Sequence, residues 1–315
     1  MIAAWVHNLD PFAVQFGNGF GVRWYGLAYL AAFAAAYFVY RHLAKRGFSV
    51  IPPAKVGDFI TGCAVFGVLL GGRIGYMLFY DFSGFLRDPL VFFRVWEGGM
   101  SAHGGILGVV LYTLWYAWRH QVNWPGLGDN LVVGSALGLF FGRMANFING
   151  ELYGRPSEVA WAVKFPKELY EAPVETQRAV LGRAQEMFAG PVGLEEILSA
   201  VPKSADMARV VGEYLTPRHP SQIYEALLEG LLLFAVLWLV RTRFRVPNGV
   251  ITGLFFVGYA VTRSVAESFR FPDAGYVGLL TKGQFLSIFL LLIGMGFLIA
   301  AKLRPAYPPA WSPRR

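Results

Sequence analysis

The stretch that decides the fold is residues 129–150, DNLVVGSALGLFFGRMANFING. After two polar residues it is almost entirely apolar, and it is long enough to cross a lipid bilayer as a helix. Arg143 and Asn146 interrupt its second half, and with Gly150 they lie within about 60° of one another on one helical face. Because a charged side chain inside a bilayer is costly and marks a functional site, we expect the chemistry of the protein on this face.

The composition of the whole chain also indicates a membrane protein. Of the 315 residues, 55% are hydrophobic and 15% are charged, whereas a soluble domain has about a quarter charged residues. The mean hydropathy of +0.45 implies more apolar surface than one soluble core can bury. The net charge of +8 comes mostly from Lys and Arg at the ends of apolar runs. Lipid headgroups and topology account for such charges, so we expect no nucleic-acid partner.

Seven apolar runs are long enough to span a membrane as helices. They cover residues 22–40, 57–80, 103–119, 129–149, 222–240, 249–268 and 284–303. Glycines recur within them, which lets neighbouring helices approach closely. The sequence therefore predicts an all-α polytopic membrane protein with seven transmembrane helices. We divide the chain into helices 1–4 (1–149), a head segment (150–221), and helices 5–7 with a tail (222–315).

The distribution of Lys and Arg predicts the orientation, because both residues are enriched in short cytoplasmic loops. When the long fourth connection is left out, twelve of them flank one side of the spans and five flank the other. We therefore expect the N-terminus outside and the C-terminus in the cytoplasm. The head segment then also lies outside, and its amphipathic stretches 175–188 and 195–201 predict a small periplasmic helical head.

This orientation places the polar residues of the spans in the outer half of the membrane. Tyr259, Arg263 and Glu267 follow one another at intervals of four and form a second polar stripe. Buried ions of this kind can simply pair, Arg263 with Glu267 and others across helices. Pairing alone does not explain why they share one side, whereas a site open to the outer leaflet does. The other polar residues that this orientation places in the outer half are Tyr25, Arg73, His103, Asn146, Glu225, Glu229 and Gln284.

Arginines in a pocket of low dielectric constant form a strong clamp for a phosphate, since each guanidinium binds two oxygens in a fixed fork. The anion most easily reached from the outer leaflet is a phospholipid headgroup, and the clamp can also stabilise a phosphate leaving group. His103 opens the third span at a helix N-terminus and is a candidate base; a structural role for it stays open. The sole cysteine, Cys63, lies in the inner half. No spacing indicates a metal site, and we expect no cofactor and a nucleophile supplied by a second substrate.

Six blocks of the sequence resemble the bacterial prolipoprotein diacylglyceryl transferases. The signature block is residues 142–156, GRMANFINGELYGRP. Two features depart from the family pattern: Ala145 stands where glycine is common, and residues 157–217 are long for the family and do not align. The other blocks, in family order, are 23–26, 71–76, 94–105, 218–225 and 269–273.

The resemblance implies a bacterial inner-membrane enzyme with its active site on the periplasmic side. Such an enzyme transfers the diacylglyceryl group of phosphatidylglycerol to the lipobox cysteine in a prolipoprotein signal peptide. A thioether forms and glycerol phosphate leaves, which is the first step of lipoprotein maturation. The resemblance implies His103, Arg143 and Arg263 as catalytic residues. Implied substrate-binding positions are Tyr25, Asn146, Glu151, Gly154, Tyr259 and Glu267, and implied supporting positions are Arg73, Glu225 and Glu229.

From the residues alone, two other classes of function stay open. A lipid or anion transporter has polar residues along its whole path and often an internal repeat, but the inner ends of these spans hold few polar residues (Asp58, Asp129 and Asn130). A non-catalytic lipid-binding or assembly protein binds lipid without modifying a peptide. Transfer of mass from phosphatidylglycerol to a peptide cysteine distinguishes the enzyme from both.

Overall fold

The computed structural model describes residues 4–16, 21–94, 98–188, 190–272 and 275–308. It is mostly helical. The α-helices are α1 (Trp24–Lys45), α2 (Val56–Gly62), α3 (Gly71–Phe79), α4 (Phe82–Arg87), α5 (Ala102–His120), α6 (Trp124–Ile148), α7 (Val174–Gln185), α8 (Leu194–Ala200), α9 (Ala205–Gly212), α10 (Ser221–Glu225), α11 (Leu233–Arg243), α12 (Val250–Glu267) and α13 (Lys282–Leu303). The strands are β1 (Trp5–Val6), β2 (Phe12–Gln15), β3 (Gly21–Arg23), β4 (Val163–Lys164), β5 (Pro217–Arg218), β6 (Tyr276–Val277) and β7 (Leu280–Thr281).

In the described part of the chain, six helical stretches are long and apolar enough to cross a membrane, which confirms a polytopic membrane protein. The third predicted span forms α5, which at 19 residues is about 28 Å long but is not among the six. A seventh crossing and the orientation of the termini therefore stay predictions. The six stretches are Trp24–Lys45, Pro53–Phe79, Trp124–Ile148, Ser221–Arg243, Val250–Glu267 and Lys282–Leu303.

Two of these stretches contain a π-helix between α-helical segments. One covers Cys63–Leu70, between α2 and α3, and the other covers Ala226–Leu232, between α10 and α11. π-Helical turns occur frequently at functional sites. The second one carries Glu229 and directly follows Glu225. A wider helical turn changes the face on which later side chains lie, so it affects the direction of the Glu229 side chain relative to that of Glu225.

The chain folds into two compact units, whose boundaries fall within helices. The first consists of Met1–Ala32, Gly138–Leu233 and Gly258–Leu291, and the second of Phe33–Leu137, Phe234–Val257 and Leu292–Arg315. Of the site residues predicted from the sequence, His103 and Arg73 belong to the second unit and the others to the first. The division of the chain into two membrane parts and a head stays a prediction.

Within the first unit, the head segment has its own hydrophobic core. Helices α7 and α8 lie where the amphipathic stretches predict them, and α9 completes the packing. Strand β1 pairs parallel with β4, which pairs antiparallel with β5, so residues near the N-terminus are tied to the head. The core side chains are Leu169, Val180, Ala184, Ile197, Val201, Met207, Ala208, Val211 and Leu215.

Within the second unit, α3 and α5 pack against each other through glycines. A Cβ on Gly104 would lie 2.4 Å from the carbonyl oxygen of Gly71 and 2.8 Å from the Cα of Gly75. Such contact between backbones is a common way for membrane helices to associate. The glycines of the second span therefore have the packing role that the sequence predicts.

A buried polar cluster in the second unit is centred on Arg241. Its Nε donates to Oδ1 of Asn130 at 2.9 Å, and its Nη1 lies 3.5 Å from Oδ2 of Asp129. The other oxygen of Asp129 accepts from the N–H and the hydroxyl of Thr252 at 2.9 and 3.0 Å. Arg241 is 0% exposed. Arg241 is one of the twelve basic residues counted above as flanking the spans, which is wrong, because α11 extends past it and Asp129 balances it inside the protein.

Candidate active site

A cluster of ion pairs in the first unit joins charged residues from several helices. Helix α6 contributes Arg143, and α12 contributes Arg263 and Glu267. Glu225 ends α10 and Glu229 lies in the π-helix that follows it. The sequence predicts all five as polar residues of one site, and the structure brings them together.

Arg143 is held by two carboxylates. Its Nε and Nη2 lie 3.3 and 3.1 Å from Oε2 of Glu229, and its Nη1 lies 3.2 Å from Oε2 of Glu225. Both carboxylates are fully buried, whereas the Arg143 side chain is 16% exposed. Because contacts with two separate carboxylates fix the plane of the guanidinium, its exposed edge has a defined direction.

Arg263 is held in a similar way from α12. Its Nη1 lies 2.7 Å from Oε1 of Glu225 and 3.6 Å from Oε1 of Glu229, and its Nη2 lies 2.6 Å from Oε2 of Glu267. The contact with Glu267 confirms the pair that the spacing of four residues predicts. The side chain of Arg263 is still 14% exposed. Pairing thus orients the guanidinium without enclosing it.

Glu225 is the centre of the cluster. Its Oε1 binds Arg270 Nη1 at 3.1 Å as well as Arg263, and its Oε2 binds Arg143. Arg270 follows the end of α12, as its place among the basic residues flanking the spans predicts, but it is only 6% exposed and belongs to the cluster. The block 269–273 was the available signal for its importance. Among the described residues of the cluster, three arginines balance three glutamates, which is the condition under which buried ions are tolerated.

The paired arginines retain donors for a further anion. A guanidinium carries five N–H groups, and the contacts of Arg143 with Glu225 and Glu229 engage three of its nitrogens through one N–H each. Within the described part of the chain, this leaves one N–H on each terminal nitrogen for another ligand. A phosphate at the exposed edge would therefore meet donors that are already oriented, the arrangement that best stabilises developing negative charge.

A second polar group lies one helical turn from Arg143. Asn146 Nδ2 donates to the hydroxyl of Tyr25 at 3.0 Å and to Oε1 of Glu151 at 2.9 Å. Residues three apart on a helix share a face, so this group lies on the same side of α6 as Arg143. The structure thus joins three positions that the resemblance implies for substrate binding.

The turn after α6 presents Glu151 to this group. Gly150 and Leu152 both have positive φ, +64° and +58°, which for a leucine costs about 1–3 kcal/mol. Helix α10 holds the turn: Gln222 Nε2 donates to the carbonyl of Glu151 at 2.7 Å, and the Ser221 hydroxyl donates to the carbonyl of Leu152 at 3.1 Å. Gln222 and Ser221 lie in the block 218–225, although sequence reasoning gives them no role.

Gly154 links this turn to the ion pairs. Its N–H donates to the carbonyl of His219 at 2.9 Å, and it forms an isolated β-bridge with Arg270. A Cβ at this position would lie 2.5 Å from the carbonyl oxygen of His219 and 2.6 Å from that of Phe269. Only glycine fits between these backbones, so the observed role of Gly154 is close packing beside Arg270.

Tyr259 lies one turn before Arg263 on α12 and is half-buried. It interacts electrostatically with Glu229, Arg143 and Arg263. The polar stripe that the sequence predicts on this helix therefore faces the ion-pair cluster along its length.

His103 and Arg73 belong to the second unit. His103 is exposed there on the first turn of α5, which Ser101 caps by accepting from the N–H of Gly104 at 3.1 Å. Arg73 is 3% exposed. It donates to the carbonyls of Phe92 and Gly99, each at 2.8 Å, so it anchors the backbone that leads into α5.

His7 is a residue that sequence reasoning misses. It follows β1, is 5% exposed, stacks on Phe165 and meets Phe147 edge to face, with ring centroids 5.5 Å apart in both cases. A Cβ on Gly150 would lie 3.1 Å from its Nδ1, so the imidazole lies directly behind the turn that carries Glu151. Burial lowers the pKa of His7 to about 4, which keeps the ring neutral near pH 7. Because position 7 lies outside every apolar run, no sequence pattern singles it out.

No group of three or more His, Cys, Asp or Glu side chains is placed to hold a metal ion in the ranges that the structure describes. The independence of the reaction from metals and cofactors stays a prediction.

Known proteins resemble the chain over nearly its whole length. The family model of the prolipoprotein diacylglyceryl transferases matches residues 11–300. A phosphatidylglycerol–prolipoprotein diacylglyceryl transferase of Xylella fastidiosa is 40% identical over 316 residues, covering 98% of each chain. Proteins of the same name from Gluconacetobacter diazotrophicus and Rhodospirillum centenum are 39% and 40% identical, covering 96% of this chain and 93% and 95% of their own.

Proposed function

The chain belongs to the prolipoprotein diacylglyceryl transferase family, and we propose that it catalyses the reaction that its relatives are named for. The substrates are phosphatidylglycerol and a prolipoprotein, and the reaction is the first step of lipoprotein maturation. The observation that carries this proposal is the pair of arginines, Arg143 and Arg263, oriented by buried carboxylates and each still partly exposed.

The exposed edges of Arg143 and Arg263 hold the phosphate of phosphatidylglycerol while its acyl chains stay among membrane lipids. The thiolate of the lipobox cysteine attacks the glyceryl carbon that bears the phosphate. A carbon–sulfur bond forms, the carbon–oxygen bond breaks, and glycerol phosphate leaves with both bonding electrons. Negative charge builds on the departing phosphate oxygen, where fixed guanidinium donors stabilise it most.

The thiol proton must leave before or during the attack, because the thiolate is the nucleophile. By resemblance we assign this proton to His103, whose imidazole is exposed. The alternative is that the arginines alone lower the pKa of the thiol. Transfer by His103→Gln, measured across pH, separates the two: full activity with an unchanged pH profile would exclude the base role.

The remaining positions bind and orient the substrates. Tyr25, Asn146 and Glu151 form a hydrogen-bonded group on the same face as Arg143 and suit the hydroxyls of the lipid headgroup. We place the protein in the bacterial inner membrane with seven crossings, its N-terminus outside, its C-terminus in the cytoplasm, and the head and active site on the periplasmic side. This orientation brings the site to the leaflet where an exported signal peptide exposes its lipobox.

The decisive experiment incubates the purified protein with phosphatidylglycerol and a lipobox peptide and records the mass of the peptide. We expect a gain of one diacylglyceryl group on the cysteine, and none on a matched peptide with serine in its place. Arg143→Ala should abolish the gain. A wild-type protein that binds the lipid but leaves the peptide unmodified would instead indicate a lipid-binding protein or a transporter.

A further inference from the structure

Helix α13 borders the ion-pair cluster without contributing a charge to it. A Cβ placed on Gly283 would lie 2.7 Å from Cδ and Oε2 of Glu267 and 2.8 Å from Oε1. The whole carboxylate thus lies against the bare backbone of Gly283. Real Cβ atoms do not approach other atoms this closely, so a side chain here requires one of the two groups to move.

The backbone of Gly283 is fixed in place. The N–H of Thr281 donates to Oε1 of Gln284, and the N–H of Gln284 donates to the hydroxyl of Thr281, both at 3.2 Å. This reciprocal pair is a capping box, which sets the start of a helix. One turn later the hydroxyl of Ser287 donates to the carbonyl of Gly283 at 2.9 Å. The first turn of α13 therefore cannot easily give way.

Glu267 is the group that has to move, and its movement is not free. Its Oε2 lies 2.6 Å from Nη2 of Arg263, and it is buried to 4% exposure. A shifted carboxylate would lengthen this contact and leave Arg263 bound by Glu225 and Glu229 alone. The guanidinium of Arg263 could then rotate away from its present orientation, because only one of its two terminal nitrogens would still be held by carboxylates.

We propose that Gly283 is a positioning residue of the transferase reaction: the absence of a side chain at this point of α13 seats Glu267 and, through it, aims Arg263 at the phosphate. This inference rests on the proposed function and deepens it. It gives α13 a role in the site, although α13 contributes no charged residue to the cluster.

The test compares Gly283→Ala with Gly296→Ala, a matched change on the same helix where a Cβ meets nothing within 4 Å. Alanine favours a helix over glycine in both variants, which offsets the strain of displacing Glu267 in Gly283→Ala, so both should unfold near the wild-type temperature in detergent. We expect Gly283→Ala to lose about tenfold to a hundredfold in kcat, the cost of misplacing a catalytic group by about 1 Å. Its KM for phosphatidylglycerol should rise less, and Gly296→Ala should match the wild type.

A double variant separates this mechanism from general misfolding. Glu267→Asp shortens the side chain and should partly restore turnover when added to Gly283→Ala, although alone it lowers turnover. Unchanged kcat in Gly283→Ala, a parallel fall in its unfolding temperature, or losses that simply multiply in the double variant would each overturn the inference.

An infrared measurement tests the inference independently of catalysis. The spectrum of Gly283→Ala minus wild type should contain a shifted carboxylate band, and the shift should vanish in a Glu267→Gln background. A band that persists in that background would contradict the proposal. Absence of transfer by both the wild type and Gly296→Ala would count against the proposed function alone, since the infrared result stands by itself.

Discussion

At the scale of single residues, the site depends on the shape of the guanidinium group as much as on its charge. Arg143 contacts Glu229 through two nitrogens and Glu225 through the third. A lysine ammonium is a compact charge with no fixed fork, so it can balance these carboxylates without reproducing the geometry. Charge and geometry can therefore be separated experimentally at this position.

We predict that Arg143→Lys stays folded and loses about a hundredfold in kcat/KM, the cost of removing one oriented donor. Arg143→Gln should lose activity and also about 3–5 kcal/mol of stability, because it leaves three buried glutamates with only two arginines, an uncompensated buried charge. Transfer assays and thermal unfolding in detergent measure both effects. Arg119→Lys, at an exposed position on α5, serves as the control. Equal stability of the two Arg143 variants would contradict the charge-balance account.

His7 predicts a dependence of stability on pH. Its folded-state pKa is lowered to about 4 by burial, so the unfolded chain binds the proton more tightly. Stability from this residue is therefore complete above about pH 6.5 and falls as the pH drops towards 4, by about 3 kcal/mol in all. In His7→Phe, which keeps the aromatic packing and does not titrate, the unfolding temperature should fall less over that range. His42→Phe, at an exposed position, should behave like the wild type; an equal acid response in His7→Phe would refute the prediction.

Single residues also show what a sequence can reveal about this site. Arg143, Arg263 and Glu267 could be predicted because a charge within an apolar run stands out and its spacing fixes its face. The central place of Glu225 could not, since three arginines reach it only through tertiary packing. His7 and Gly283 act through burial and through an absent side chain, and neither property has a pattern along the chain.

At the scale of secondary structure, apolar length predicts where helices lie but not how they turn. The π-helix Ala226–Leu232 keeps the composition of an ordinary span, so hydropathy alone does not distinguish it. The glycines of α3 and α5 are visible in the sequence, whereas their partners are not. Which glycines of α3 and α5 contact one another is therefore known only from the three-dimensional structure.

The packing of α3 on α5 yields a prediction for Gly104→Ala. The added Cβ would meet backbone atoms of Gly71 and Gly75, which cannot rotate away, so the helices must separate. We expect a loss of about 1–3 kcal/mol in stability, the usual cost of overpacking, and reduced transfer because His103 adjoins the site of change. Gly182→Ala on α7, where a Cβ meets nothing within 4 Å, should preserve both. A Gly104→Ala protein as stable as the wild type would show that the contact can relax.

At the scale of the whole molecule, the polytopic class follows from composition, and the orientation rests on the distribution of basic residues. Burial of Arg241 and Arg270 removes one charge from each side of that comparison, so the asymmetry persists. The internal packing of the head was beyond sequence reasoning, because β1 joins it from far along the chain.

Cysteine labelling can test the orientation, since Cys63 is the sole cysteine of the chain. In a Cys63→Ala background, we predict that a membrane-impermeant maleimide labels Glu186→Cys on the head in intact spheroplasts. Arg304→Cys, just after α13, should react only after the membrane is permeabilised. Both positions are exposed. The reverse pattern would invert the proposed topology and place the site on the cytoplasmic face.

The ion pairs of Arg143 have a consequence for biosynthesis. Its partner Glu229 lies 86 residues further along the chain, and ribosomes add about 5–20 residues per second. For roughly 4 to 17 seconds, then, α6 exists while the helix that neutralises it has not been made. A lone arginine costs at most about 2.5–3.5 kcal/mol in a membrane helix, the figure for its centre, and less towards the end where Arg143 lies. We therefore expect the nascent α6 to stay in contact with the insertion machinery until the helix that carries Glu225 and Glu229 emerges. Crosslinking of stalled nascent chains to that machinery would detect the delay.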